Sequence, residues 1–331
     1  MRVLVTGVSG QDGTYLAELL RSRGDEVVGV CRGEASPRVR AVADVRRLDL
    51  TDHAALDALV REVTPDRLFH LAAYHRSSSA SPSDRRSEAG GRSATALPAR
   101  GGGWVPHFGE ESDYLATNLL SVHALLASVR AHAPACRVFL AGSAHMFGDA
   151  AETPQSEATP FAPNSLYGVT KVASCHLARV YREQHGVFAC TGILYNHESP
   201  LRGPSFVTTR LARAAARGED VTLGDPAARV DWGYAGDYVE AMRLMLEAPA
   251  PRDYVVASGG LHTVQDFAER AFAHAGRDWR AHVKVDPSAH KPVARATYHG
   301  DSSAIARDLG WRPTTTFAAL VAMMVDAHRA T

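Results

Sequence analysis

Cysteine is scarce in this chain. Only Cys31, Cys136, Cys175 and Cys190 occur, scattered and without metal-ligand spacing. No disulfide framework or metal site is predicted, and a reducing, cytoplasmic setting is expected. Long apolar runs are missing too, so no membrane-spanning helix is expected. The chain enters its first predicted strand at once, which argues against a signal peptide. Net charge is absent: 36 Lys+Arg stand against 36 Asp+Glu, leaving no field to steer the protein toward nucleic acid or a membrane surface. No internal repeat is found.

What is present is enough apolar matter for a large core, at 331 residues and 45% hydrophobic. One large α/β domain with a smaller lobe is the expected size class. Strand-like runs at Val3–Thr6, Glu26–Val30, Arg46–Leu50, Arg67–Ala72, Arg137–Ala141 and Ala189–Tyr195 alternate with amphipathic stretches at Ala54–Val63, Tyr114–Ala131 and Val172–Glu183. That alternation predicts a doubly wound parallel sheet with helices on both faces. The last part is less regular, with helices near Val264–Ala275 and Thr316–Arg329.

The first strand runs into Gly7-Val8-Ser9-Gly10-Gln11-Asp12-Gly13 and then an apolar-periodic helix through Tyr15, Leu16, Leu19 and Leu20. Strand, glycine turn and helix form the context that a dinucleotide fingerprint requires. The helix start offers free N–H groups to a pyrophosphate. At the end of the second strand, where an acid usually meets the NAD ribose, the chain reads Val30-Cys31-Arg32-Gly33. A guanidinium there suits a 2′-phosphate, so NADP is expected, with Glu34 a late-placed acid for NAD as the alternative. Asp49 and Leu50 follow the third strand, where they would touch the adenine or serve as ordinary turn residues.

Tyr167 and Lys171 lie four apart in Ser165-Leu166-Tyr167-Gly168-Val169-Thr170-Lys171. On a helix they share one face, and a fixed ammonium favours phenolate, so the tyrosine is expected to exchange a proton with a substrate hydroxyl near neutral pH. Beside a dinucleotide site the pair indicates redox chemistry on an alcohol.

These motifs, with Gly10-Gln11-Asp12-Gly13-Thr14-Tyr15-Leu16, Gly192 to Pro200, Asp231-Trp232-Gly233-Tyr234 and Leu309-Gly310-Trp311-Arg312-Pro313, resemble the extended short-chain dehydrogenase/reductase family, and within it the GDP-mannose 4,6-dehydratase group, over nearly the full length. The resemblance implies a Rossmann-type sheet (residues 1–192 plus about 230–257) and a smaller carboxyl-terminal lobe (about 193–229 plus 258–331) that binds a nucleotide-sugar, GDP-linked by analogy. It implies that Tyr167 takes a sugar hydroxyl proton while nicotinamide accepts hydride, that Lys171 binds the nicotinamide ribose, and that Ser143 bonds the same sugar oxygen. By the same resemblance Leu71 and Ala73 join the cofactor site, and Asn196, Glu198, Val207, Arg210 and Arg229 join the substrate site; for the arginines a surface salt bridge is the alternative. A homodimer or homotetramer is implied, through helices near Tyr114–Ala131 and Val172–Gln184, whose apolar stripes core packing explains equally well.

Three departures stand out. The group's Ser-Thr-Ser-Glu-Leu-Tyr-Gly is here Gly142-Ser143-Ala144-His145-Met146-Phe147-Gly148, so the glutamate that takes the C5 proton is replaced by His145. Histidine titrates near neutrality and can act as base or acid. Epimerisation through a C4 ketone is the leading expectation, 4,6-dehydration with a histidine base the alternative, and a pocket-shaping role for His145 a third. The diphosphate-binding arginine before Asp-Trp-Gly is displaced, with Val230 in its slot behind Arg229. Finally, residues 76–112 form a Ser, Gly, Arg and Ala-rich insertion, read either as a lid carrying Trp104, His107 and Phe108 or as a solvated loop. Retention of Ser143, Tyr167 and Lys171 argues against a catalytically silent scaffold, and the group's motifs favour internal cofactor recycling over a plain reductase.

Overall fold

In the computed structural model, residues 1–74, 109–286 and 297–329 are described. Seven strands form one parallel sheet: β1 (Arg2–Thr6), β2 (Glu26–Cys31), β3 (Asp44–Arg47), β4 (Arg67–His70), β5 (Arg137–Ala141), β6 (Phe188–Leu194) and β10 (Tyr254–Val256), in the order β10-β6-β5-β4-β1-β2-β3. The order reverses between β1 and β4, the place where doubly wound folds bind ligands. The central strands are continuous apolar runs because helices cover both faces. On one face α1 (Gln11–Ser22) packs Leu16 and Leu20 against a core that includes Tyr238 and Met242. On the other, α3 (His53–Val63), which follows the short α2 (Pro37–Arg40), packs with a long helical run. That run comprises α4 (Glu110–Leu115), a π turn (Ala116–Leu120) and α5 (Ser121–His132).

The expected strand Arg46–Leu50 is corrected to Asp44–Arg47. Its register is set by pairing with β2 alone, Val28 opposite Asp44 through Cys31 opposite Arg47. As an edge strand with little buried surface it carried no clear alternation. The remaining expected strands and helices agree with the structure to within two or three residues, except that the run expected at Tyr114–Ala131 begins four residues earlier, at Glu110, and the 166–185 helix six residues earlier than its expected start. The insertion lies outside the described residues up to position 108, including Trp104, His107 and Phe108.

After β5 a tight turn (Ala144–Met146) leads to α6 (Leu166–His185), whose N-cap Ser165 accepts from Gly168 N at 3.1 Å. The smaller lobe follows β6. It contains β7 (Asn196–Glu198), α7 (Val207–Arg217), β8 (Val221–Leu223) and β9 (Arg229–Tyr234); α8 (Ala235–Glu247) then returns to the large sheet beside α1. Next come β11 (Leu261–Thr263), α9 (Val264–His274), β12 (Val283–Val285), α10 (Ser303–Leu309) and α11 (Phe317–Arg329). Strands β11, β9 and β7 form a second sheet, and α7, α9 and α11 bury Leu211, Phe267, Phe272 and Met324 in a core of their own.

Candidate active site

A cleft of about 1400 Å³ opens at the carboxyl ends of β1, β4, β5 and β6 and is closed on its other side by the smaller lobe. Its floor is the first glycine turn. Gly7 has φ +77°, and a Cβ there would meet the Ala72 nitrogen at 2.7 Å; one on Gly13 would meet the Gly7 carbonyl oxygen at 2.3 Å. The bare backbone therefore lets the turn close tightly under α1, whose N-cap Gly10 has no side-chain cap. Free N–H groups of the first helical turn face the cleft, which fits a dinucleotide pyrophosphate.

Of the residues expected to hold cofactor, Gly10, Gln11, Asp12, Leu71, Ala73, Tyr167 and Lys171 line this cleft. Gly7 and Gly13 shape the turn beneath it. Arg32, Asp49 and Leu50 lie beyond its walls, just past β2 and β3. Arg47 Nε donates to the Arg32 carbonyl at 3.0 Å, bringing a second guanidinium there.

Gln11 and Asp12 have a further task that their position in the motif did not disclose. Gln11 Nε2 donates to the His197 carbonyl at 3.0 Å, and Ser199 Oγ donates to Gln11 Oε1 at 2.8 Å. His197 Nε2 lies 2.9 Å from both Asp12 oxygens, while Nδ1 lies 2.7 Å from the Tyr195 carbonyl. Both ring nitrogens face acceptors, so the ring carries both protons. Burial opposes that charge, but Asp12 outweighs it and the His197 pKa is raised. The imidazolium also stacks on Tyr238, centroids 4.5 Å apart.

Ser143, His145, Tyr167 and Lys171 converge at the cleft's centre. Ser143 follows β5, and its hydroxyl accepts from the His145 backbone N–H at 3.2 Å and hydrogen-bonds the Tyr167 phenol. The His145 ring stands edge-on to Tyr167 with centroids 5.7 Å apart. Burial pushes the His145 pKa down, so its imidazole stays neutral at working pH. Lys171 Nζ donates to the Ala141 carbonyl at 2.7 Å and lies 5.6 Å from the Tyr167 ring centre. The expectation that this ammonium favours phenolate near neutral pH is corrected. Burial pushes Tyr167 up to about 12, with the Ser143 hydrogen bond and Arg202 pulling it partly back. Lys171 is itself pushed down to about 8 by burial.

Asn196, Glu198, Val207 and Arg210 line the cleft; Arg229 is exposed and does not, although its neighbours Ala228 and Val230 do. Glu198 is buried, accepting from Thr208 Oγ1 at 2.7 Å and pairing with Arg202 Nε at 3.2 Å. Arg210 donates to the Thr222 carbonyl at 2.9 Å. Among the lining residues assigned no role from the sequence are Arg202, whose guanidinium lies 3.6 Å over the Phe206 ring, His197 and Tyr298. His197 lies inside the Gly192 to Pro200 motif and Arg202 two residues past it, but no local signal marks Tyr298.

A Rossmann sheet with this turn, and a tyrosine–lysine pair facing a second lobe, defines an NAD(P)-dependent nucleotide-sugar epimerase/dehydratase of the extended short-chain dehydrogenase type. Residues 3–89 match the NAD dependent epimerase/dehydratase family. The fold is that of UDP-glucose 4-epimerase from Thermus thermophilus in complex with NAD, with a TM-score of 0.80, 24% identity and 100% of each chain covered. Residues 107–324 match the model of the family GDP-mannose 4,6 dehydratase. GDP-mannose 4,6 dehydratase 1 of Arabidopsis thaliana is 37% identical over 98% of this chain and 88% of its own length. The human GDP-mannose 4,6 dehydratase is 32% identical over 98% and 90%. The chain belongs to the GDP-mannose 4,6-dehydratase family.

Proposed function

We propose that the protein is a GDP-hexose 4,6-dehydratase in which His145 replaces a carboxylate as acid and base. The observation that carries this is a neutral, half-buried imidazole set edge-on beside Tyr167 just after β5. The full-length likeness to GDP-mannose 4,6-dehydratases favours dehydration over the epimerisation that loss of the carboxylate first suggested.

The glycine turn, Leu71, Ala73 and Lys171 would hold the dinucleotide, which supplies hydride acceptance and return. Arg32 and Arg47 together support a 2′-phosphate and so NADP, with NAD the alternative. Ser143 and Arg202 draw the Tyr167 phenol back toward ionisation against its burial, and the phenolate form takes the proton of the C4 hydroxyl. A C4 carbonyl acidifies the C5 hydrogen. Neutral His145 removes that proton, and the imidazolium then protonates the departing C6 hydroxyl, which leaves as water. Arg210, Arg202 and Asn196 line the cleft and would grip the diphosphate; Arg229 is set aside because it lies outside the cleft.

Epimerisation through the same ketone is the second reading, favoured by the missing carboxylate alone. Mass and proton NMR after incubation with GDP-mannose in deuterated water separate the two. Loss of one water with deuterium at C5 supports dehydration, whereas an unchanged formula with altered ring couplings refutes it. His145→Ala is expected to abolish C5 exchange while cofactor still binds, a fall of at least about 10²-fold.

Exposed Leu115, Leu120, Val169 and Val180 on the α4–α5 run and α6 support pairing with a second copy, as a homodimer or homotetramer. All four cysteines are buried free thiols, which supports a reducing, cytoplasmic setting. No helix among the described residues is long and apolar enough to cross a membrane.

A further inference from the structure

Tyr298 stands on a different part of the chain from every other residue around His145. Its ring centre lies 5.2 Å from that of His145, tilted by 38°, and it lines the same cleft. Resting on the functional reading above, we propose that Tyr298 contacts the substrate, its phenol hydrogen-bonding a hydroxyl of the hexose and so setting which sugar the site accepts.

Aromatic packing explains the ring but not the hydroxyl, since phenylalanine would fill the same place against the imidazole. Among the described residues no hydrogen bond engages that hydroxyl, although the ring is half-buried. A polar atom on a cleft wall, beside the group assigned to act on the sugar, is suited to a ligand rather than to the protein.

The backbone around it is held from several sides, as a recognition group requires. Tyr298 bridges Val230 of β9. Gln155 Nε2 donates to the Thr297 carbonyl at 3.1 Å, and Gln155 N donates to the His299 carbonyl at 2.7 Å. His299 N returns a bond to Gln155 Oε1 at 3.1 Å, an oxygen that also accepts from Tyr195 Oη at 2.8 Å. Gly300 N donates to Asp231 Oδ2 at 3.3 Å. Gln155 lies on the chain between the His145 turn and α6, so one buried amide ties Tyr298 to the segment that joins the reacting groups.

The test compares wild type with Tyr298→Phe on GDP-mannose, measuring kcat, KM, C5 deuterium exchange and cofactor binding. Phe keeps the ring against His145, so a purely structural role leaves every number unchanged. The expected result is a loss of about tenfold in kcat/KM with cofactor affinity intact. GDP-mannose analogues lacking single hydroxyls at C2, C3 or C6 supply the second measurement, with C5 exchange as the readout. Against the analogue that lacks the hydroxyl held by Tyr298, the two enzymes converge. Equal kcat/KM on GDP-mannose, or a tenfold gap that survives every analogue, overturns the proposal. A wild-type enzyme inert toward a panel of nucleotide-sugars sinks the functional reading instead, a failure distinct from a variant that matches a working wild type.

Discussion

Gly168 lets the backbone of the His145 turn pack against the helical turn that carries Tyr167, and replacing it with alanine should push the two reacting groups apart. It sits in the first turn of α6, one residue after Tyr167. A Cβ built there meets the His145 carbonyl oxygen at 2.5 Å and Pro163 Cβ at 3.1 Å. Ordinary contact begins near 3.4 Å, so the turn carrying His145 must retreat from α6 by roughly 0.9 Å. Alanine gains about 1 kcal/mol of helix propensity, against roughly 1–3 kcal/mol for the forced shift. Net stability therefore changes by no more than about 2 kcal/mol, and the fold survives. Catalysis is less tolerant, because a misplacement of about 1 Å between reacting groups costs on the order of 10²-fold. Gly168→Ala should thus lower kcat for water loss about 100-fold, while cofactor binding, which rests on the first glycine turn, stays near wild type. Product NMR and a cofactor titration give both numbers. Wild-type kcat in this variant, or a parallel collapse of cofactor binding, would refute the reasoning.

Other perturbations test separate parts of the structure. Burial, with the Lys171 charge adding, pushes His70 down to about 3. The unfolded chain therefore binds more protons below about pH 6.5, and stability falls as pH drops, by about 1 kcal/mol per unit. His70→Gln should flatten the acid slope of urea stability between pH 6.5 and 5; an unchanged slope counts against a neutral buried His70. Asp12→Ala strands the His197 imidazolium without its counter-ion and should cost about 3 kcal/mol in urea unfolding, whereas a loss under about 1 kcal/mol would mean the ring is neutral. Arg32→Glu should lower the NADP-to-NAD preference about tenfold or more, measured as a ratio of dissociation constants; an unmoved ratio removes Arg32 from 2′-phosphate recognition.

Most of the large sheet was legible because β1, β2, β4, β5 and β6 are largely apolar runs and the helices between them amphipathic periods; the polar edge strand β3 and the three-residue β10 gave no such signal. Gly7 to Gly13 and Tyr167 to Lys171 were legible for the same reason: their geometry is set within one or two helical turns. The smaller lobe was not. Strands such as β7, β8 and β12 are three residues long and hold no period to count, and their pairing depends on partners far along the chain. Distance also hid what Asp12 does, since its partner His197 lies 185 positions away. The pKa expectation for Tyr167 failed for a different reason. A nearby cation can be read from spacing, but the depth of burial that opposes it belongs to the folded cleft. Tyr298 left no trace because its neighbourhood is assembled from β9, Gln155 and His145.

The bonds from Gln11 and Asp12 to His197 and Ser199 bear on how such enzymes can be recombined. A chimera cut just after β6 would separate a carboxylate from the ring that neutralises it, and would leave the half-buried Gln11 amide facing a foreign loop. Swapping the specificity lobe between relatives therefore calls for moving residues 11–12 and 195–199 as one block, with the crossover placed beyond Ser199.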